Sequence, residues 1–340
     1  MAYASRTISR NPALDTLRGI AVFAVMAAHA LAGLGYSQHP QDGIIALGRG
    51  GVTLFFLLSG YLIFQSVQRE PAHVFALRRF FKVMPSYWIN ILVILVLDLT
   101  LTHFAHLSWK SYASDATVLT DILGLPPTSG VFWTLFIEIK FYVFVLIQYA
   151  LLGSRYNLLV AAGLLAIEAV IWTWRGHGST TLAYFPVFYL GIEIALAEAN
   201  AWSRVHIARV IGITVVLAAS LYVFLDRLQV ASAAYLVTAA ILFVVAQRLR
   251  FNNRVFIFLG VTSYSAYLYH SLAMGWLIDT FPVSRASPSI FMMLVGAFVA
   301  AVLVGWGMYR LVEVPFVRLG RRLENWPALA YIGRHDHASH

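Results

Sequence analysis

Residues 14–36 read LDTLRGIAVFAVMAAHALAGLGY. A helix crossing the hydrocarbon core of a bilayer needs about 20 mostly apolar residues, and this stretch is long enough. It nevertheless carries Asp15, Arg18 and His29. A charged side chain at bilayer depth costs roughly 2.5–3.5 kcal/mol on insertion scales, so each one needs a partner or a task. Arg18 and His29 are 11 positions apart in the sequence, about three helical turns, which puts both on one face some 16 Å apart along the axis. The same stretch has the basic start and the small-residue pattern Ala28-His29-Ala30 of a cleaved leader. Cleavage would discard Arg18 and His29, and the apolar run continues to Tyr36, so an uncleaved first span is expected.

Outward from this stretch the pattern repeats. Further apolar spans are read at Ile44–Ser66, Ser86–Phe104, Phe132–Leu152, Asn157–Trp174, Leu182–Asn200, Ala208–Leu225, Val230–Gln247, Val255–Asp279 and Pro288–Leu311. The chain is 60% hydrophobic with only 11% charged residues, against roughly a quarter charged in soluble domains. The expectation is one all-α, polytopic membrane bundle of about ten transmembrane helices over residues 1–325, followed by a polar tail, 326–340. There is no cysteine, which excludes disulfides, thiolate metal sites and cysteine nucleophiles.

The formal net charge is +9, but the basic residues sit in short loops between apolar spans, not on the clustered face that nucleic acid requires. Their distribution reads orientation instead. Of 24 Lys and Arg, Lys110, Arg175, Arg227 and Arg285 fall on one side and Arg49 and Lys140 within or near spans; the remaining 18 fall on the other. The positive-inside rule then places both termini in the cytoplasm. The longest loop, His103 to Val131, faces outside and could contact a sugar or cap the bundle. The tail histidines could hold a metal only adventitiously, and no metal site is expected. Gly48-Arg49-Gly50-Gly51 reads as a close helix approach, not a nucleotide loop.

Other polar residues fall where they are expensive. Glu138 shares a helical face with Phe141 and Tyr142; its carboxylate could orient a histidine, bind a sugar hydroxyl, or form a structural ion pair. Tyr264, Tyr267 and His270 step by three along one stripe, as interhelical tyrosines do. His270 is a second candidate for proton transfer, since imidazole titrates near neutrality. Arg78, Arg79 and Lys82, in the loop before Pro85, could meet anionic lipid headgroups or grip a phosphate-bearing ligand. Arg18 could be a positive-inside anchor, and His29 a hydrogen-bonded interior histidine. Together these groups imply a polar interior, as transporters and membrane enzymes both have.

In order, Leu14-Asp15-x-Leu17-Arg18-Gly19 with His29 downstream, Gly51-Val52-x-Leu54-Phe55-Phe56-x-Leu58-Ser59-Gly60, Arg78-Arg79-x-x-Lys82-x-x-Pro85, Trp133-Thr134-Leu135-x-x-Glu138-x-x-Phe141-Tyr142, Ser263-Tyr264-Ser265-x-Tyr267-Leu268-x-His270 and Glu313-x-Pro315-Phe316 resemble the acyltransferase-3 family of membrane O-acyltransferases. Lys82 departs from the family, which more often has Arg there, and Lys140 is unusually polar for its position. The resemblance implies transfer of an acyl group, acetyl before succinyl or longer ones, from cytoplasmic acetyl-CoA or another acyl-CoA to a sugar hydroxyl of a cell-surface or exported glycan. It places the chain in a bacterial cytoplasmic (inner) membrane, among membrane lipids. Arg18, Arg78, Arg79 and Lys82 would hold the donor's phosphates, and Asp15, Tyr142 and Tyr267 would bind substrate. His29 would act as general base or transient acyl carrier, with Glu138 and His270 beside it in the catalytic set. The rival expectation is a transporter or flippase, whose natural sign, paired repeats with broken helices, is not evident. Oligomeric state is not legible.

Overall fold

The computed structural model describes residues 11–36, 43–100, 107–176, 180–224, 229–283 and 287–324. Among them every regular element is helical. The helices are α1 (Pro12–Gly33), α2 (Gly43–Val67), α3 (Ala72–Thr100), α4 (Trp109–Ala116), α5 (Phe132–Leu151), α6 (Asn157–Arg175), α7 (Thr180–Ala199), α8 (Arg204–Phe224), α9 (Gln229–Arg248), α10 (Arg254–Val261), α11 (Ser263–Thr280), α12 (Ser289–Met308) and α13 (Val314–Leu323). Among the described residues eight helical tracts are long and apolar enough to cross a membrane, and the fold is a polytopic all-α membrane bundle.

Local chemistry sets the helix ends. Asn11 caps α1 by accepting from the Ala13 N–H at 3.0 Å, and Pro12 follows at the first helical position, where its missing N–H costs nothing. Asn253 caps α10 in the same way.

Three predicted elements are corrected. Helix α3 starts at Ala72 and not near Ser86, so Arg78, Arg79 and Lys82 lie on a helix instead of in a loop. The stretch 72–84 is built largely of good helix formers, and Pro85 is accommodated inside the helix. At 29 residues, α3 runs roughly 44 Å, well beyond a hydrocarbon core of about 30 Å. The predicted span Val255–Asp279 is broken at Thr262. Its hydroxyl donates back to the carbonyls of Phe258 and Leu259, a side-chain bond that competes with helix continuation. The tenth span ends in a π-helical turn, Tyr309–Glu313, which leads into α13. Pro315 just beyond it has no N–H to offer and crowds the carbonyl four residues back, which favours the wider turn.

The predicted ends at Phe104 and Leu225, the basic residues Arg6, Arg10, Arg227, Arg285 and Arg334, and the tail 326–340 lie outside the described residues.

The core is tied by small residues at helix crossings, the usual device where lipid removes the hydrophobic drive between helices. A Cβ on Gly260 would sit 1.8 Å from the Asp15 carbonyl oxygen, and one on Gly19 would sit 1.9 Å from that of Phe256. The α1–α10 crossing is therefore backbone on backbone. Gly60 and Gly191 do the same for α2 and α7. Gly51 lies against the Ala21 carbonyl, so the glycine-rich stretch before it is the close approach that was expected.

Toward the C-terminal end of α3, helix α4 and the segment after it pack against α3 and α5. Asp115 accepts from the backbone N–H and hydroxyl of Thr128, at 2.7 and 2.6 Å, and from Thr120. Asp98 accepts from Tyr112 and from the Leu107 N–H. Burial and the Asp98 carboxylate push the Tyr112 phenol pKa up. Lys140 pairs with Asp121 of this segment, which gives that polar position its partner.

Candidate functional site: a basic funnel and paired histidines

Near the opposite end a vestibule of about 1090 Å³ opens among α1, α2, α3 and the α12–α13 junction. Six basic side chains line it, Arg18, Arg69, Lys82, Arg250, Arg318 and Arg321, against two acids, Asp15 and Glu313. Beyond it lies a chamber of about 130 Å³. The two spaces share Arg18, Leu62 and Lys82, which form a neck. The strongly positive mouth fits a polyanion, for which Arg forks are suited to phosphate.

The chamber wall is polar along one side. Glu138 accepts from the Ser59 hydroxyl and from the Tyr142 phenol, each at 2.6 Å. The Arg79 guanidinium lies over the Tyr142 ring, 5.1 Å from its centroid, and over Phe75 at 5.3 Å. One chain of contacts thus runs from the arginine through the tyrosine to the carboxylate.

Lys82 pairs with Glu313, whose carboxylate is almost fully buried and whose second oxygen accepts from Ser265 at 2.6 Å. The π turn presents Glu313 to α3 and α11 together. Tyr264 and Tyr269 of α11 donate to the carbonyls of Val83 and Ser86, on either side of Pro85, so these two tyrosines do pack between helices.

The histidines stand apart from this chamber. The ring centroids of His29 and His270 are 4.9 Å apart and the planes are at 77°. His29 is exposed and His270 fully buried. His270 Nδ1 is 2.6 Å from the Tyr267 carbonyl; a carbonyl can only accept, so Nδ1 carries the proton. Nε2 then holds a lone pair and has no hydrogen-bond partner among the described residues.

The predicted site residues therefore fall into groups. Arg18, Arg79, Lys82, Glu138, Tyr142 and Tyr267 share the chamber, and Asp15 lines the vestibule with Arg18 and Lys82. His29 meets His270, whereas Glu138 bonds Ser59 and Tyr142. Arg78 lines neither space: it grips Glu324 through two nitrogens and Glu70 through a third, fastening the end of α13 to the α2–α3 turn. Sequence reasoning missed Arg69, Arg250, Arg318 and Arg321, which come from three separate parts of the chain. Only the i, i+3 spacing of Arg318 and Arg321 on the polar side of α13 could have signalled them. Among the described residues no group of three or more His, Asp or Glu could hold a metal.

Fold and site together define a polytopic membrane protein with a basic vestibule, a smaller chamber adjoining it and a pair of histidines beside the chamber residue Tyr267. The chain matches the acyltransferase domain family over residues 11–310 and belongs to it. It is 29% identical over 152 residues to the peptidoglycan O-acetyltransferase OatA of Listeria monocytogenes, covering 39% of this chain and 23% of that protein. It is 22% identical over 368 residues to a Staphylococcus aureus protein provisionally named an O-acetyltransferase, covering 93% of this chain and 58% of that one. A protein of Acidianus two-tailed virus, provisionally named an acetyltransferase, is 27% identical over 286 residues, covering 78% of this chain and 84% of its own length. The chain thus spans less than a quarter of the length of one of those two bacterial relatives and somewhat over half of the other. No solved structure matches it.

Proposed function

We propose that residues 1–325 form one membrane O-acyltransferase unit, which moves an acyl group, acetyl first of all, from acyl-CoA to a hydroxyl of a cell-surface or exported saccharide. The supporting observation is the basic vestibule adjoining a smaller chamber whose lining residue Tyr267 lies beside the paired histidines. Coenzyme A carries several phosphate charges on a slender thiol-ended arm, and a wide positive mouth with a thin extension complements that shape. Arg18, Lys82 and Arg79 hold the donor where the arm enters, and Arg69, Arg250, Arg318 and Arg321 extend the grip around the nucleotide end. On this reading the basic end is cytoplasmic, both termini lie there, and the membrane is a bacterial cytoplasmic one. The O-acetyltransferase names of the relatives support the acceptor class.

His29 takes the proton from the acceptor hydroxyl as that oxygen bonds to the acyl carbon. The carbon–sulfur bond breaks, and the imidazolium returns its proton to the departing thiolate. General-base assistance of this kind contributes typically 10²–10⁴-fold. A second route has His29 accept the acyl group first and pass it to the hydroxyl. Tyr142 and Glu138 steady the arm from the chamber wall, and Asp15 shapes the mouth.

The test is binding of labelled acetyl-CoA by purified protein in nanodiscs, followed by acyl transfer to native glycan. His29→Ala keeps binding and loses transfer; Arg79→Ala weakens binding. No binding at millimolar donor by folded protein rejects acetyl-CoA as the donor. Glycan uptake into vesicles without any acyl-CoA would favour transport instead.

A further inference from the structure

The chamber stops short of the histidines. Tyr267, Thr134 and Phe55 belong to its lining; His29 and His270 do not. The Tyr267 and Thr134 hydroxyls are 2.6 Å apart, and both lie within hydrogen-bond distance of the Val131 carbonyl, at 3.2 and 3.1 Å. Two protons serve these three contacts, so the hydroxyls bond each other and the remaining proton goes to Val131. On one side Phe55 stands edge-on to the Tyr267 ring, with centroids 6.0 Å apart. On the other side the Tyr267 ring is 5.7 Å from that of His270. Tyr267 therefore both lines the chamber and neighbours His270, the ring partner of His29, and its hydroxyl is latched across to α5.

We propose that Tyr267 is a specificity-determining residue: with Thr134 it forms a hydrogen-bonded partition that must part to admit an acyl group to His29, and it passes short acyl groups in preference to long ones. The inference rests on the acyl-transfer reading above. A bond between neutral hydroxyls is a weak latch and opens readily. Clearing the ring itself requires a different rotamer in a packed site, which is the greater obstacle. A small acyl group needs only the first movement, whereas a longer chain needs both. His270 is held by the backbone carbonyl of Tyr267, so replacing the Tyr267 side chain leaves that contact in place. The latch and the histidine can thus be perturbed separately.

The chain contains no cysteine, so His29→Cys supplies a single thiol. In sealed vesicles, a membrane-impermeant methanethiosulfonate applied from the side carrying Arg79 reacts slowly with it. The rate rises at least about 10-fold when Tyr267→Ala is added, and a few-fold with Tyr267→Phe or Thr134→Val. Tyr267→Phe keeps the ring, so the test survives if the alanine variant fails to fold. Equal rates in all variants, or fast reaction in His29→Cys alone, overturn the partition. With His29 intact, the ratio of hexanoyl-CoA to acetyl-CoA turnover rises at least about 10-fold in Tyr267→Ala; an unchanged ratio overturns the specificity role. If folded wild-type protein turns over no acyl-CoA, the acyl-transfer reading fails, and with it the specificity role, while the labelling rates still decide the partition.

Discussion

His29 and His270 meet edge to face at 4.9 Å, one exposed and the other fully buried. His270 presents a lone pair at Nε2 because Nδ1 is committed to the Tyr267 carbonyl. On the acyl-transfer reading proposed above, that lone pair can receive an N–H from His29 and so fix which nitrogen of His29 faces the acceptor. His270→Phe keeps the aromatic contact and removes the lone pair. Turnover is expected to fall about 10²-fold with acetyl-CoA binding unchanged, measured as kcat against donor affinity in the same nanodisc preparation.

The Lys82–Glu313 pair offers a stability test. Breaking a buried pair from one side typically costs 3–5 kcal/mol, and Lys82 is partly exposed, so Glu313→Gln is expected near the low end, about 3 kcal/mol. The double variant Lys82→Met/Glu313→Leu removes both charges and recovers much of that loss. Thermal unfolding in detergent gives the order: wild type above the double variant, and both above Glu313→Gln.

Backbone crossings allow no added atom. Gly260→Ala and Gly60→Ala would each drive a methyl to within 2 Å of a carbonyl oxygen and are expected to yield little monodisperse protein. Gly212→Ala and Gly307→Ala, which meet nothing within 4 Å, are expected to behave as wild type. Size-exclusion chromatography of detergent extracts separates the two outcomes.

The vestibule arginines predict strong salt dependence. Arg250→Ala and Arg318→Ala each weaken acetyl-CoA binding, by about 10-fold at low salt, and the difference shrinks at high salt as the charges are screened. Filter binding across a salt series measures it.

Arg78 answers to a different measurement. Its three carboxylate contacts are structural, so Arg78→Ala lowers thermal stability by about 1–2 kcal/mol, a modest loss for a partly exposed network, and leaves donor affinity unchanged. A drop in affinity equal to that of Arg79→Ala would return Arg78 to the donor site.

Much of the bundle was legible because apolar runs of spanning length report membrane crossing directly. Three places were misread: the start of α3, the break at Thr262 and the π turn Tyr309–Glu313. Arg78, Arg79 and Lys82 were expected in a loop, whereas α3 carries them and runs on through Pro85; a hydroxyl that folds back on its own helix leaves no mark on hydropathy. The chamber residues were legible one by one, since charged and hydroxyl groups in apolar runs stand out. Their grouping was not. Nothing in the spacing of Glu138 and His29 tells that the carboxylate turns to Ser59 and Tyr142 while the imidazole turns to His270. The mouth was least visible, because Arg69, Arg250 and Arg318 become neighbours only when α2, α10 and α13 close around it.

The neck shared by vestibule and chamber has a kinetic consequence. On the acyl-transfer reading proposed above, a donor that threads its arm past Arg18, Leu62 and Lys82 occupies the route by which the spent thiol must withdraw. Entry of the next donor and exit of the last carrier are then mutually exclusive events. Free coenzyme A is expected to inhibit competitively toward the donor and not toward the saccharide, so turnover in the cell would follow the ratio of acylated to free carrier more closely than the amount of either.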